Sequence, residues 1–259
     1  MKINGAKVLL TGATGGIGHA IARRLKAEGA ELVLTGRRTD VLEPLATELG
    51  ARSIAADLGD PAALDALLAD AGEIDILVAN AALPGTGLFS EVSLEKIDAN
   101  LDVNLRAPIM LAKALLPQMS ARKSGHLVFI GSVSGIVATP GSSLYNATKF
   151  GLRGFADALR QELHGSGVGV SNVEPGFVSD AGMFVNSGME LPRGVRKVTP
   201  EKVAAGVVKG ITKNKGEIVV APLELKLGAR FGSIAPNVNA AVNRASGAID
   251  IVGGHADND

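Results

Sequence analysis

A chain of 259 residues, 46% hydrophobic and 20% charged, has the composition of a globular protein with a sizeable core. Its 26 lysines and arginines balance 26 aspartates and glutamates, so no basic field attracts nucleic acid, and without cysteine neither disulfides nor thiolate chemistry is open to it. The histidines (His19, His126, His164, His255) lack metal-ligand spacing and no apolar run reaches the ~18 residues of a membrane span, so the expectation is a cytoplasmic protein with no metal, nucleic-acid or membrane partner.

Short runs rich in Val, Ile and Leu predict strands at 6–11, 31–35, 51–56, 74–80, 125–132, 168–175 and 217–222. Helical patterns lie between them at about 16–28, 39–49, 61–70, 93–119, 143–165 and 200–213. Most strand runs are continuously apolar, as in strands covered on both faces. Thr39-Asp40, Asp60-Pro61 and Thr199-Pro200-Glu201 supply helix-start signals. Strand–helix alternation implies right-handed crossovers and an α/β, doubly wound, mostly parallel seven-stranded sheet with helices on both faces. No linker or internal repeat divides the chain, which reads as one domain over 1–252 with a frayed polar tail at 253–259. Residues 177–198 form the natural lid between a strand and a helix. Leu223, Leu227, Phe231 and Ile234 are spaced helically, which predicts a core or subunit contact.

Glycines gather where the first strand meets the first helix, in "VLLTGATGGIGHAIARRL". Gly12, Gly16 and Gly18 fit Thr-Gly-x-x-x-Gly-x-Gly, a turn whose bare backbone lets a pyrophosphate reach the N–H groups of a helix start. Thr14, Gly15 and Ile17 share that Rossmann-type loop. The second strand ends in Gly36, Arg37 and Arg38 with no acid. An acid there accepts ribose hydroxyls, whereas arginine accommodates a 2′-phosphate, so the pattern favours NADP(H) over NAD(H). Two cations at a helix start also call for a compensating anion. Asp57 and Leu58 follow the third strand, where the carboxylate is placed to meet the adenine amino group.

With these pieces placed, residues 5–222 resemble the short-chain dehydrogenase/reductases in their compact branch of about 250 residues. The resemblance rests on the glycine loop, Asp57, "VANAA" at 78–82, Asn104 in "LDVNL", Ser132 in "IGSVSG", Tyr145 with Lys149, and "EPGFVSD" at 174–180. Gly15 also permits the glycine spacing of longer, epimerase-like relatives, but the chain length argues against them. Tyr145 is the only tyrosine, and Lys149 lies one helical turn on. A phenol near pKa ~10 is a sluggish proton donor at neutral pH, and an adjacent ammonium is expected to lower it. The resemblance makes Tyr145 the general acid in reduction and base in oxidation. It makes Lys149 its tuner and the holder of the nicotinamide ribose, Ser132 a donor to the substrate oxygen, and Asn104 the holder of a relay water. Asn80, Ala81, Pro175, Gly176 and Val178 become cofactor contacts. Ala79 and Ala82 depart from the family's Asn-Asn-Ala-Gly, and Asp180 stands where a threonine is usual. The implied function is hydride transfer between NADP(H) and a carbonyl or secondary alcohol. An epimerase, a dehydratase or a non-catalytic NADP sensor are the alternatives. A homodimer or homotetramer pairing the helices at 93–119 and 143–165 is also implied.

Overall fold

The structure is a computed structural model that describes residues 1–179 and 196–245. Strands β1 (Lys7–Leu10), β2 (Glu31–Gly36), β3 (Arg52–Ala55), β4 (Ile76–Ala79), β5 (Gly125–Ile130), β6 (Val168–Pro175) and β7 (Glu217–Val220) form one sheet. Its order is β3-β2-β1-β4-β5-β6-β7, with every pairing parallel. Each strand lies within two residues of its expected bounds. The helices are α1 (Gly16–Ala27), α2 (Thr39–Leu49), α3 (Pro61–Ala71), α4 (Leu94–Leu101), α5 (Ala107–Arg122), α6 (Ser143–Glu162), α7 (Pro200–Lys213), α8 (Leu223–Ile234) and α9 (Pro236–Ala245).

Strand side chains alternate between the two faces, which explains the continuous apolar runs. Val8, Leu10, Leu34 and Val78 pack on one face with Ile21 and Leu25 of α1 and Val203 and Val207 of α7. Leu9, Leu77, Leu127 and Phe129 pack on the other with Leu67 of α3, Leu111 and Leu115 of α5 and Leu152 of α6. Strand order reverses between β1 and β4, and a parallel sheet of this kind opens a crevice at the strands' carboxyl ends there.

The helix expected at 93–119 is broken. Ser93 caps α4, its hydroxyl accepting from the Lys96 amide at 3.2 Å, and a π-helical turn at Asp102–Arg106 separates α4 from α5. Pro108 accounts for the break: it has no N–H to donate to the Asn104 carbonyl four residues earlier. Of the two placements expected for Leu223, Leu227, Phe231 and Ile234, core or subunit contact, the core placement is not taken up. Their periodicity holds, but they are 59–83% exposed, and α8 instead buries the small side of the helix, Ala229 and Gly232. The tail at 253–259 lies outside the described residues, as does most of the lid.

Candidate active site

The turn between β1 and α1 is required by backbone packing before any ligand enters the argument. Gly12 has φ 63°, in the left-handed region, and a Cβ there would meet the Ala81 Cα at 2.7 Å. A Cβ on Gly18 would run into the Gly12 carbonyl oxygen. Thr11, the residue that opens the Thr-Gly-x-x-x-Gly-x-Gly motif, fastens this turn to the end of β4. Its hydroxyl accepts from the Asn80 and Ala81 amides at 3.0 and 3.1 Å, while Asn80 Nδ2 donates to the Thr11 and Gly12 carbonyls at 3.1 and 3.0 Å. Asn80 and Ala81 are therefore structural partners of the glycine turn as well as walls of the site.

Gly12, Thr14, Gly15, Gly16, Ile17, Gly18, Arg37, Arg38, Asp57, Leu58, Asn80 and Ala81, all named from sequence, line one cleft of about 360 Å³. Leu83, Pro84 and Val103 join them. The first turn of α1 carries no acid and no side-chain cap, so its amide donors remain for an anion. Glycine cradle, open helix start and flanking guanidiniums together fit a nicotinamide dinucleotide.

The two arginines differ. Arg38 donates to the Thr14 carbonyl and so braces the glycine loop. Arg37 is 60% exposed and only loosely paired, 3.7 Å from Asp57 Oδ2. The other Asp57 oxygen accepts from the Gly59 amide at 3.0 Å. A Cβ on Gly36 would sit 2.9 Å from Thr14 Cγ2, so this glycine is needed for space as well as for lacking a carboxylate.

Beside the cleft, Ser132 follows β5 by two residues, and α6 carries Tyr145 and Lys149. Asn146, next to the tyrosine, ties this helix to the serine loop. Its Nδ2 donates to the Ser134 and Val137 carbonyls at 2.7 and 3.2 Å, and its Oδ1 accepts from the Thr139 amide at 3.2 Å. One turn beyond Lys149, Arg153 anchors α6 to Glu217 at 2.8 Å and to the buried Glu174 at 3.3 Å.

The expected lowering of the Tyr145 phenol by Lys149 is not met in the protein alone. Desolvation pushes the phenol up, to about 12, and a hydrogen bond with Ser132 opposes the rise. The Lys149 ammonium lies 5.6 Å from the ring centroid and donates to the Ile130 carbonyl at 2.8 Å. Its own pKa is lowered to about 8 by burial. The helix spacing is as read, but the charge points at the strand rather than at the hydroxyl.

Asn104 sits inside the π turn, buried. Its Oδ1 accepts from the Leu83 amide at 2.6 Å, and its Nδ2 donates to the Leu83 carbonyl at 2.9 Å and to Asn100 Oδ1 at 3.1 Å. The side chain is thus a clamp on the loop after β4, and a relay water would have to use the main-chain carbonyl that Pro108 leaves without its helical donor. Pro175 ends β6, and the Gly176 amide donates to the Val220 carbonyl at 2.9 Å. A Cβ on Gly176 would meet Leu225 Cδ2 at 2.8 Å. The Val178 side chain is buried in the core, so only its backbone can face a cofactor. Asp180 lies outside the described residues.

The sequence model of the short chain dehydrogenases matches residues 6–190. The ketoacyl reductase HetN of Nostoc sp. (strain PCC 7120) is 36% identical over 99% of this chain and 94% of its own length. A short-chain dehydrogenase from Sphingobium yanoikuyae in complex with NADPH superimposes with TM-score 0.78 at 29% identity, covering 92% of this chain and 95% of that one. A 3-ketoacyl-(acyl-carrier-protein) reductase from Brucella melitensis complexed with NADH gives TM-score 0.76 at 25% identity, covering 84% and 97%. With the glycine cradle, the parallel sheet and the Ser132, Tyr145 and Lys149 cluster in place, the chain belongs to the short-chain dehydrogenase/reductase family and is an NAD(P)-dependent oxidoreductase.

Proposed function

We propose that this enzyme reduces a carbonyl compound with NADPH, or oxidises the corresponding secondary alcohol with NADP⁺. The observation that carries the reading is the way Asn146 ties α6 to the serine loop, which brings Tyr145 to Ser132 with the Lys149 ammonium 5.6 Å from the Tyr145 ring centroid. The bound cofactor supplies the hydride to the carbonyl carbon. Tyr145 gives its phenolic proton to the oxygen that becomes the alcohol, and Ser132 donates a hydrogen bond to that oxygen as charge develops. The protein alone holds the phenol near 12, so the proton stays on Tyr145 until a developing alkoxide takes it. Lys149 holds the nicotinamide ribose and returns the proton from solvent by way of water on the Asn104 carbonyl.

NADP(H) is favoured over NAD(H) because β2 ends without a carboxylate and Arg37 is free to meet a 2′-phosphate. The similar structures hold either cofactor, so this preference rests on Arg37 itself. The name of the Nostoc relative makes ketoacyl compounds the first carbonyls to test. A homo-oligomer is supported by Leu101, Met110 and Phe150, which stand 39–41% exposed on α4, α5 and α6, the helices expected to pair. Screening ketones and alcohols for change in nicotinamide absorbance tests the proposal. Substrate turnover without net NADPH consumption would mean an epimerase or dehydratase instead.

A further inference from the structure

We propose that α8 and α9 form an interfacial docking surface for an anionic lipid bilayer: their outer apolar stripe enters the headgroup boundary and an adjoining lysine-lined cleft meets the lipid phosphates. No described helix is long and apolar enough to cross a membrane. The association is therefore peripheral.

The two helices turn an apolar face away from the protein. At ~100° per residue, Leu223, Leu227, Phe231 and Ile234 fall within an arc of about 80° on α8. Opposite them lie the buried Ala229 and Gly232. On α9 no residue is buried, and Val238 and Val242 stand 48% and 58% exposed. The other side of α9 carries Asn239, whose Nδ2 donates to the Ala138 carbonyl at 3.1 Å. Six of the eleven exposed large apolar side chains among the described residues belong to these two helices, so the exposure is concentrated there.

Charge identifies the occupant. Residues 196–245 contain nine lysines and arginines against three glutamates, in a chain whose total is neutral. A cleft of about 590 Å³ between α7 and the start of α8 is lined by Lys197, Lys202, Lys209 and Lys226. Among the described residues none of these four side-chain ammonium groups makes a hydrogen bond or ion pair. Lys226 and Arg230 border the apolar arc on one side, and Glu224 on the other is paired with Arg196 at 2.7 Å. An apolar stripe edged by cations is the pattern of an interfacial helix, whose long stems reach up to the headgroups while the apolar side chains insert. A second copy docked about a two-fold axis would set these lysines against themselves, whereas anionic headgroups neutralise them. α8 and α9 also pack on the loop that follows Ser132, through Gly232 against Val137 and Asn239 to Ala138, so the docked face borders the proposed catalytic cluster. The proposal does not depend on the catalytic reading, because its test reads binding without turnover.

The full chain is sedimented with phosphatidylcholine vesicles containing about 30% phosphatidylserine, and with phosphatidylcholine alone. The expected result is partitioning onto anionic vesicles that is at least about tenfold stronger than onto neutral ones and is lost at high salt. The pair Leu227→Asn with Phe231→Asn should lower it by about tenfold or more, and Lys202→Gln with Lys209→Gln should abolish the preference for phosphatidylserine. Thermal melts check folding of each variant, and Ile234→Asn, at the most exposed position of the stripe, replaces the apolar pair if that pair melts early. No partitioning onto either vesicle, or partitioning indifferent to both pairs, would overturn the proposal. So would a wild-type oligomer that the apolar pair dissociates while lipid binding is absent, since the stripe would then belong to a second copy.

Discussion

Replacing Arg37 with alanine isolates the cofactor preference, because Arg37 is the one of the two arginines not committed to the glycine loop. A charge-assisted hydrogen bond to the 2′-phosphate contributes roughly 1.5–3 kcal/mol. Arg37 is 60% exposed, which favours the lower part of that range. Its pairing with Asp57 at 3.7 Å is an exposed contact worth about 0–1 kcal/mol, and meeting the phosphate gives up part of it. The net loss in Arg37→Ala is then about 1–2 kcal/mol, a fall of roughly 5- to 30-fold in kcat/KM with NADPH. NADH lacks the phosphate, so its kcat/KM should change by less than about threefold, and the parent should prefer NADPH by at least about tenfold. Arg38→Ala is the control: Arg38 braces Thr14, so its loss should weaken both cofactors alike. Gly36→Asp is a poorer probe, because its side chain would crowd Thr14. Initial rates with each cofactor at one ionic strength decide the matter. If Arg37→Ala lowers both cofactors equally or neither, Arg37 is a solvated surface charge and the NADP assignment is wrong.

Tyr145→Phe should leave less than a tenth of the turnover while NADPH affinity, read by fluorescence, stays within about tenfold, or 1.4 kcal/mol; substantial residual activity would remove the phenol from the mechanism. Burial lowers Lys149 to about 8, so the ammonium present below that pH is lost above it, and kcat/KM for reduction should decline on the alkaline side near there. His126 is lowered from 6.5 to about 3 by burial, so the unfolded chain takes up its proton first as pH falls. Stability should accordingly be full above about 6.5 and decline towards 3 by up to ~1.4 kcal/mol per pH unit, and urea midpoints of His126→Asn should show a shallower decline. Gly12→Ala should destabilise the fold by about 1–3 kcal/mol and weaken cofactor binding, because its Cβ meets the Ala81 backbone and its φ is positive; a melt at the wild-type midpoint would contradict that geometry.

The residues named for the glycine loop, for the end of β2 and for the segment after β3 come together along one cleft. Glycine placement is a local requirement, and the turn's left-handed backbone can be read from the residue type. Thr11 stands in the glycine motif, but its fastening role depends on Asn80 and Ala81 far along the chain, and Asn146 escaped notice because it works across a loop without interrupting a hydrophobic pattern. The break at Asp102–Arg106 did have a signal in Pro108, but the apolar periodicity on both sides masked it.

What the sequence determined by itself is the alternation of strands and helices, the glycine turn, and the i, i+4 relation of Tyr145 to Lys149, all of which follow from local sterics and periodicity. The tertiary structure decided the directions. Periodicity put Leu223, Leu227, Phe231 and Ile234 on one face of α8, but only packing showed that Ala229 and Gly232 take the inner side. Spacing put an ammonium beside the phenol, but the Ile130 carbonyl on β5 claims it, and burial raises the phenol that the charge was expected to lower. Desolvation and hydrogen-bond direction depend on atoms brought together from the sheet and its neighbours, and no stretch of sequence contains that information.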